Sequence, residues 1–319
     1  MRIYFCNEVP DFVLGNLRAE LPQDEILTCL PEQVAAAAQD ADVLIPAMSR
    51  IGEDALRSPR LRLVQQHGAG LDTVDVPAAT RHGVYVANVP SGGTGNAESV
   101  AELAIFLMLA LARQYPRTQE LFRQGLLAGP LGRAWKGRTA AIIGFGGIGR
   151  AVARRLAGFE MRILTVSRRG PAGRTFDEKV DFHGASDTLH QVLRQADVVL
   201  LAPVLNDETR GMIGRPELAC LKPDAFLVNV ARGAVVDYDA LLEALREGRI
   251  AGAGLDVFWH EPFDPADPIL AYNVIATPHI GGVTDLSLKG IAKGVADNIN
   301  RLRQGETPRN CVNPSAKPR

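Results

Sequence analysis

Thr139-Ala-Ala-Ile-Ile143 runs directly into Gly144-Phe-Gly-Gly-Ile-Gly149, and a segment of helix length follows. The Gly-x-Gly-x-x-Gly spacing between a strand and a helix is typical of a dinucleotide-binding turn. Gly144 would permit the tight turn, Gly146 would let a pyrophosphate approach the backbone, and Gly149 would let helix and strand pack closely. The N-terminus of the helix would favour the anionic phosphates. This stretch therefore predicts an α/β fold with a parallel sheet and a nucleotide pocket.

Short apolar segments recur on both sides of this turn and predict two separate βα series. The predicted strands before the turn are Arg2–Cys6, Asp42–Pro46, Leu61–Gln65 and Val84–Ala87. Those from the turn onward are Thr139–Ile143, Met161–Val166, Asp197–Ala202, Ala225–Val230, Ala251–Val257 and Asn273–Ala276. Because segments of helix length separate the strands, we predict two doubly wound parallel sheets.

The alternation stops at Pro90-Ser-Gly-Gly-Thr-Gly95, where we place a domain boundary. Thr284–Arg303 has the pattern of a long amphipathic helix, but the second series has no strand left for it to cover. We therefore predict a discontinuous substrate domain at residues 1–91 and 285–319 and a dinucleotide-binding domain at residues 92–284. A chain of 319 residues is long enough for two cores.

Composition and charge argue against several classes of partner. The net charge is −1 and no block of like charge stands out, so we expect no nucleic acid partner. The longest apolar stretch, Ala101–Ala112, is too short to cross a bilayer, and the N-terminus has the pattern of a first strand rather than a leader. The four cysteines have no pairing or metal-ligand spacing, which favours reduced thiols, a cytoplasmic location and no metal.

Arg232, Glu261 and His279 each follow a predicted strand of the second series. The carboxyl ends of parallel strands meet at the edge where open α/β sheets bind ligands. His279 is a candidate acid–base group, Glu261 could fix its tautomer, and Arg232 could hold a carboxylate bidentately. The alternatives are a structural histidine and an arginine in a surface ion pair. We interpret the neighbouring His260 as a loop residue.

Cofactor preference is predicted from Thr165-Val-Ser-Arg-Arg169, at the end of the second strand of this series. NAD-selective sites carry an acid there that binds the ribose hydroxyls and would repel a 2′-phosphate. Ser167 replaces that acid, and Arg168 and Arg169 could neutralise the phosphate. We therefore predict NADP, with NAD possible. The alternative is that both arginines are merely solvated.

Together these motifs resemble the D-isomer-specific 2-hydroxyacid dehydrogenase family over nearly the whole chain. The matching segments are Gly68-Ala-Gly-Leu-Asp72, Asn96-Ala-Glu-Ser-Val-Ala-Glu102, Gly144–Gly149, Asn229-Val-Ala-Arg-Gly233, Gly254-Leu-Asp-Val-Phe258 with Glu261-Pro262, and Pro278-His-Ile-Gly281. The resemblance implies a flavodoxin-like substrate domain and a Rossmann cofactor domain with a cleft between them, usually assembled as a homodimer.

The resemblance also assigns roles to individual residues. It implies that Arg232 binds substrate, that Glu261 orients the imidazole and that His279 donates the proton. Ala69 and Gly70 match a loop whose amides hold the substrate carboxylate, and Asn96 matches a substrate contact in some members, such as formate dehydrogenase. The remaining positions that match cofactor contacts are Val100, Gly147, Ile148, Ala202, Pro203, Val230, Asp256, His279 and Gly281, with Asp256 expected at the nicotinamide carboxamide.

We therefore predict an NADPH-preferring reductase of small 2-keto acids, with glyoxylate and hydroxypyruvate as the leading substrates. Glu261 stands where formate dehydrogenases carry glutamine, which argues against formate. One alternative is a short-form D-3-phosphoglycerate dehydrogenase, which would need a cationic site built from residues such as Arg50, Arg60 and Arg62. An alternative of another class is a dinucleotide-sensing, corepressor-like interaction protein.

Overall fold

The computed structural model describes residues 1–171 and 175–316 of the chain. Contacts within the chain divide it into two compact units, Met1–Asn96 with Thr284–Arg319 and Ala97–Val283. We call these the N-terminal unit and the inserted unit. The boundaries predicted from the sequence, after residues 91 and 284, lie close to this division. Residues 317–319 of the predicted substrate domain lie outside the described residues.

The secondary structure alternates strands with helices along the described residues. The strands are β1 (Arg2–Phe5), β2 (Glu25–Thr28), β3 (Val43–Ile45), β4 (Leu63–Gln65), β5 (Tyr85–Ala87), β6 (Thr139–Ile143), β7 (Arg162–Val166), β8 (Phe182–Gly184), β9 (Val198–Leu201), β10 (Phe226–Asn229), β11 (Gly252–Leu255) and β12 (Val274–Ala276). The helices are α1 (Asp11–Glu20), α2 (Val34–Ala38), α3 (Glu53–Leu56), α4 (Val76–Arg81), α5 (Asn96–Ala112), α6 (Tyr115–Arg123), α7 (Gly147–Leu156), α8 (Leu189–Leu193), α9 (Arg215–Ala219), α10 (Tyr238–Arg246) and α11 (Asp285–Arg303).

The N-terminal unit contains a five-stranded parallel sheet in the order β2-β1-β3-β4-β5. This is the flavodoxin-like order of a doubly wound sheet. Helix α11 supplies Leu288, Ile291, Val295 and Ile299 to the same core as Ile3 of β1. The long C-terminal helix therefore packs on the first sheet.

The inserted unit contains a seven-stranded parallel sheet in the order β12-β11-β10-β9-β6-β7-β8. The chain reverses its winding direction between the neighbouring strands β6 and β9, which creates the switch point at which such sheets bind ligands. All residues of β6, β9, β10 and β11 are buried, because cores cover both faces of the sheet. The predicted pair of doubly wound parallel sheets is confirmed.

Two short strands were not predicted. Strand β2 lies at the edge of its sheet and buries only Ile26 among its four residues, so it lacks an apolar run. Strand β8 has only three residues, Phe-His-Gly, and also lies at an edge. The predicted sheet of six strands is therefore wrong by one strand, because short edge strands need little apolar surface.

Helix α5 explains the apolar stretch noted in the sequence. Its buried residues include Ala101, Ala104, Leu107 and Met108, which pack against one face of the inserted sheet. Among the helices of residues 1–171 and 175–316, none has the length and apolarity to cross a bilayer.

Candidate active site

The glycine-rich turn after β6 is packed so closely that two of its positions admit only glycine. A Cβ added to Gly144 would lie 2.5 Å from the backbone nitrogen of Pro203, and one added to Gly149 would lie 2.1 Å from the carbonyl oxygen of Gly144. Gly144 also has a φ of 93°, which disfavours side chains. A Cβ added to Gly146 would instead meet open space. The turn thus leaves room beside Gly146, which fits a bound pyrophosphate.

Helix α7 begins at Gly147, directly after this open position. Its N-cap residue is Gly146, which has no side chain that could accept hydrogen bonds from the first amides. Such amides, together with the helix dipole, form an anion site. Ala202 and Pro203 follow β9 on the other side of the switch point, in contact with Gly144.

Three further predicted cofactor positions lie near one another in the inserted unit. A Cβ added to Gly281 would lie 2.8 Å from Oδ2 of Asp256 and 3.4 Å from Cγ2 of Val100. Val230 follows β10, the strand beside β11, and is buried. The structure therefore brings Val100, Asp256 and Gly281 together.

Ser167 lies directly after β7, at the same edge of the sheet as the glycine turn. Its backbone amide donates to Gly184 and its hydroxyl lies 3.1 Å from Nε2 of His183. Arg168 and Arg169 follow and are exposed, with Nη1 of Arg168 3.9 Å from Glu208. The two guanidinium groups are thus accessible for an anionic ligand.

Arg232, Glu261 and His279 follow β10, β11 and β12, which are consecutive neighbours in the sheet. Oε2 of Glu261 lies 2.7 Å from Nδ1 of His279. Arg232 is close enough for its charge to act on Glu261. The three residues predicted from separate strand ends therefore form one group, whereas His260 is exposed.

The environment of Glu261 keeps its carboxyl group ionised. Burial alone would raise its pKa, but the hydrogen bond and charge of His279 lower it, as do the amide of Phe258 and the charge of Arg232. The net effect is a pKa below the usual range of a glutamic acid. Oε1 accepts the Phe258 amide at 3.0 Å, so the carboxylate is oriented from both sides. The negative charge of Glu261 thus lies beside Nδ1 of His279.

The turn that carries Arg232 is built by Asn229 and Gly233. The fully buried side chain of Asn229 accepts the amide of Ala231 at 3.0 Å and donates to the carbonyl of Arg232 at 2.9 Å. A Cβ added to Gly233 would lie 2.1 Å from the carbonyl carbon of Phe258. Gly233 thus lets the turn carrying Arg232 touch the loop that leads to Glu261. The sequence motif contained Asn229, but its anchoring role was missed.

Asp256 holds the loop that carries His279. Its buried carboxylate accepts the hydroxyl of Thr277 at 2.7 Å and the amides of Ile280 and Gly281 at 2.9 Å each. Burial raises the pKa of Asp256, and these hydrogen bonds only partly oppose the shift. His279 itself has a left-handed backbone with φ 55°, which is uncommon for a residue with a side chain. A carboxylate has about four lone-pair sites, so three such bonds leave one for another partner.

The predicted substrate loop lies at the carboxyl edge of the other sheet, in the N-terminal unit. Ala69 and Gly70 follow β4, and Nδ2 of Asn88 donates to the carbonyl of Ala69 at 2.7 Å. Asn96 is the first residue of α5, and its side-chain oxygen accepts the Ser287 hydroxyl at 3.2 Å. Asn88 is a second anchoring residue that the sequence did not reveal, because its partner is fixed only by the fold.

The arginines considered for a phosphate site do not come together. Arg60 pairs with Asp42, and Arg62 donates to the carbonyl of Leu302. Both precede β4, whereas Ala69 follows it, so they lie at the opposite edge of the sheet. Arg50 alone follows β3 at the carboxyl edge and is exposed. Within residues 1–171 and 175–316, no group of three His, Cys, Asp or Glu side chains could hold a metal.

Comparison with known proteins identifies the family of this chain. The family model described as "D-isomer specific 2-hydroxyacid dehydrogenase, NAD binding domain" matches residues 105–281. The glyoxylate reductase of Thermococcus gammatolerans is 43% identical over 305 residues, which cover 92% of this chain and 87% of the relative. The glyoxylate reductase of Pyrococcus furiosus is 40% identical over 305 residues, with coverage of 92% and 86%.

The chain is also similar to a solved structure, that of an NADPH-dependent glyoxylate/hydroxypyruvate reductase from Sinorhizobium meliloti in complex with NADP and malonate. The TM-score is 0.83 and the sequence identity is 30%, and the match covers 100% of this chain and 98% of that chain. The chain therefore belongs to the D-isomer specific 2-hydroxyacid dehydrogenase family and is an NAD(P)-dependent dehydrogenase. The family resemblance found in the sequence is confirmed.

Proposed function

We propose that this chain reduces small 2-keto acids with NADPH, and that glyoxylate and hydroxypyruvate are its leading substrates. The contact between Glu261 and His279, at the strand ends beside Arg232, is the observation that carries the proposal. We assign the inserted unit to the cofactor and the N-terminal unit to the substrate. The relatives named above are glyoxylate reductases, which supports this substrate class.

His279 would supply the proton to the substrate carbonyl. Nδ1 of His279 faces Glu261, so Nε2 is left for the carbonyl oxygen. Because Glu261 is ionised, it stabilises the imidazolium that must exist before the proton is donated. A bound nicotinamide supplies the hydride in reduction and takes it up in oxidation. Positioned acid–base groups of this kind contribute about 10²- to 10⁴-fold to rate.

Arg232 would bind the substrate carboxylate and polarise the neighbouring carbonyl. Its planar guanidinium can make two parallel hydrogen bonds to a carboxylate, and this fixes the orientation of the carbonyl carbon. Within the N-terminal unit, the backbone amides of Ala69 and Gly70 and the side chain of Asn96 are proposed as substrate contacts. The anchoring of Ala69 by Asn88 supports a rigid loop there.

The preference for NADPH is proposed from the end of β7. Ser167 carries no charge that would repel a 2′-phosphate, and the exposed Arg168 and Arg169 can form charge-assisted hydrogen bonds to it. The Sinorhizobium reductase is described as NADPH-dependent, which favours the same choice here. NAD remains a possible second cofactor, because Ser167 can also bond to a ribose hydroxyl.

We also propose a homodimer, formed through the second half of α5 and the segment that follows it. This dimer segment exposes large apolar side chains that a monomer would leave in water. They are Phe106, Tyr115, Phe122, Leu126, Leu127 and Leu131, of which Leu127 is 95% and Leu131 94% exposed.

We further propose a cytoplasmic location. All four cysteines are free, which supports it.

Initial-rate kinetics with a substrate panel and both cofactors test the proposal. The panel contains glyoxylate, hydroxypyruvate, pyruvate, phosphohydroxypyruvate and, in the oxidative direction, formate. We expect the highest kcat/KM with glyoxylate or hydroxypyruvate and NADPH. A clear preference for phosphohydroxypyruvate would instead support the phosphoglycerate dehydrogenase alternative, and absence of turnover with every 2-keto acid would refute the proposed reaction.

A further inference from the structure

Thr165, His183 and Ser167 form a continuous chain of contacts at the carboxyl ends of β7 and β8. Oγ1 of Thr165 lies 2.5 Å from Nδ1 of His183, and Nε2 of His183 lies 3.1 Å from Oγ of Ser167. Thr165 and His183 are register partners on the two strands, so backbone pairing fixes their contact. Thr165 lies in the stretch from which the cofactor preference is predicted, but the sequence assigns no cofactor contact to Thr165 or to His183.

The imidazole of His183 lies among aromatic rings. The centroids of Phe145 and Phe176 are 5.1 and 5.0 Å from it. Phe145 belongs to the glycine-rich turn, so His183 contacts both that turn and Ser167. Beyond Phe176, the guanidinium of Arg150 lies 5.7 Å from that ring and pairs with Glu178 at 2.9 Å. The two hydroxyl groups are therefore the polar partners that the described residues offer to the ring nitrogens.

The burial of Thr165 limits where its hydroxyl hydrogen can point. Thr165 is fully buried, so its hydroxyl hydrogen needs an acceptor within the protein. Two acceptors are in reach, Nδ1 of His183 at 2.5 Å and the carbonyl of Phe182 at 3.3 Å. Donation to the nearer one makes Nδ1 the acceptor, and a neutral imidazole then carries its hydrogen on Nε2.

This tautomer determines what Ser167 can do. If Nε2 donates to Oγ of Ser167, the hydroxyl of Ser167 keeps its own hydrogen for another acceptor. Among the described residues, the internal acceptor in reach is the carbonyl of Gly170 at 3.4 Å, which is a long and weak contact. The hydroxyl is therefore prepared to donate outward to a ligand that only accepts, such as a phosphate oxygen. In the opposite tautomer, Nε2 would take that hydrogen away.

We propose that Thr165 and His183 are positioning residues for cofactor selection, because they hold the Ser167 hydroxyl as a donor to the 2′-phosphate of NADPH. The proposal rests on the NADPH preference proposed above. It adds a second contribution to the selection of NADPH, besides the charges of Arg168 and Arg169. In this contribution the buried Thr165, through His183, sets the direction in which the Ser167 hydroxyl donates.

The tautomer of His183 can be measured directly in the parent enzyme. Long-range ¹H–¹⁵N correlation spectra distinguish Nδ1–H from Nε2–H imidazoles, and His183→Gln identifies the signal among the six histidines. We expect the Nε2–H form. An Nδ1–H form would overturn the proposal without any reference to activity.

Binding of two probes tests the consequence for selectivity. Calorimetry would compare adenosine 2′,5′-diphosphate with adenosine 5′-diphosphate, which lacks the 2′-phosphate. In Thr165→Val and His183→Leu we expect the Kd of the 2′-phosphorylated probe to rise about fivefold. This is less than the loss of a whole hydrogen bond to a charged group, because the Ser167 hydroxyl remains and only its fixed direction is lost. The Kd of the other probe should stay nearly unchanged. His183→Gln, whose amide can still donate to Ser167, should recover most of the difference.

Matched controls separate this role from a structural one. His190→Leu removes a histidine of the same unit that pairs with Glu217 instead, and it should leave the ratio of the two Kd values at the parent value. The proposal would be overturned if the Kd values of both probes rose equally in Thr165→Val and His183→Leu. A parent enzyme that binds both probes with the same Kd would overturn it as well. If the probe results hold but no 2-keto acid is reduced, only the proposed reaction fails.

Discussion

Nδ1 of His279 and Oε2 of Glu261 lie 2.7 Å apart, although the two residues follow different strands. The second oxygen of Glu261 accepts the amide of Phe258, so the carboxylate is held on one side by the backbone and on the other by the imidazole. Asp256 fixes the loop of His279 because its carboxylate accepts the backbone amides of Ile280 and Gly281, the two residues after His279. Two carboxylates with different partners therefore set the geometry of His279.

His279→Ala should leave dinucleotide binding intact and lower kcat by roughly 10²-fold or more, the usual scale for a positioned acid–base group. Turnover and cofactor affinity are measured separately, by initial rates and by calorimetry. His260→Ala, an exposed neighbour in the loop of Glu261, is the control and should behave as the parent enzyme. A near-normal kcat in His279→Ala would remove His279 from the reaction.

Glu261→Gln should narrow the pH range of reduction. The lowered pKa of Glu261 keeps it charged at neutral pH, where it favours protonated His279. Without that charge, the alkaline limb of the pH–rate profile should move to lower pH. An unmoved alkaline limb would exclude Glu261 from this role.

Glu261→Gln should also change how the free energy of unfolding depends on pH. A depressed carboxyl pKa contributes stability that is present above the unfolded-state pKa, about 4.3, and is lost as pH falls through the lower folded-state value. The free energy of unfolding of the parent, measured with denaturant, should therefore fall more on acidification than that of Glu261→Gln.

Arg232→Lys should reduce kcat/KM for every carboxylate substrate, although it keeps the charge. An ammonium group cannot reproduce the bidentate hydrogen bonding of a guanidinium, so we expect a loss of about tenfold or more. Arg215→Lys, which changes a surface arginine paired with Glu243, is the matched control. If only the melting temperature of Arg232→Lys changes, Arg232 has a purely structural role.

Arg168→Ala/Arg169→Ala should raise KM for NADPH and leave KM for NADH nearly unchanged. Loss of a hydrogen bond between charged groups costs about 1.5–3 kcal/mol, or roughly ten- to a hundredfold in affinity. Ser167→Asp should reverse the preference by repelling the 2′-phosphate. Arg162→Ala, at the other end of β7, is the control. A parent enzyme that uses NADH as efficiently as NADPH would contradict the proposed preference.

Leu127→Glu/Leu131→Glu should convert the proposed dimer into a monomer, because two charges would enter an apolar contact. Size-exclusion chromatography with light scattering measures the mass in solution. Phe12→Glu, which alters an exposed apolar residue on α1, should leave the mass unchanged. A monomeric parent enzyme, or a dimer that survives both charges, would rule out this interface.

The sequence predicted the main elements of the site because each lies at the end of an apolar run. Arg232, Glu261 and His279 could be placed on one sheet edge from strand order alone. Asn88 and Asn229 could not be identified as anchors, since a buried amide gains its meaning from the backbone groups that the fold brings to it. His183 was missed for a related reason: its strand, β8, has too few residues to be recognised.

The division of the chain also determines the order in which its cores can be completed during synthesis. The core of the N-terminal unit includes Leu288, Ile291, Val295 and Ile299 of α11, which are translated after the whole inserted unit. Strands β6 to β12, by contrast, all precede α11. On the ribosome, the N-terminal unit can therefore close its core only after the inserted unit has been made, although its strands are translated earlier.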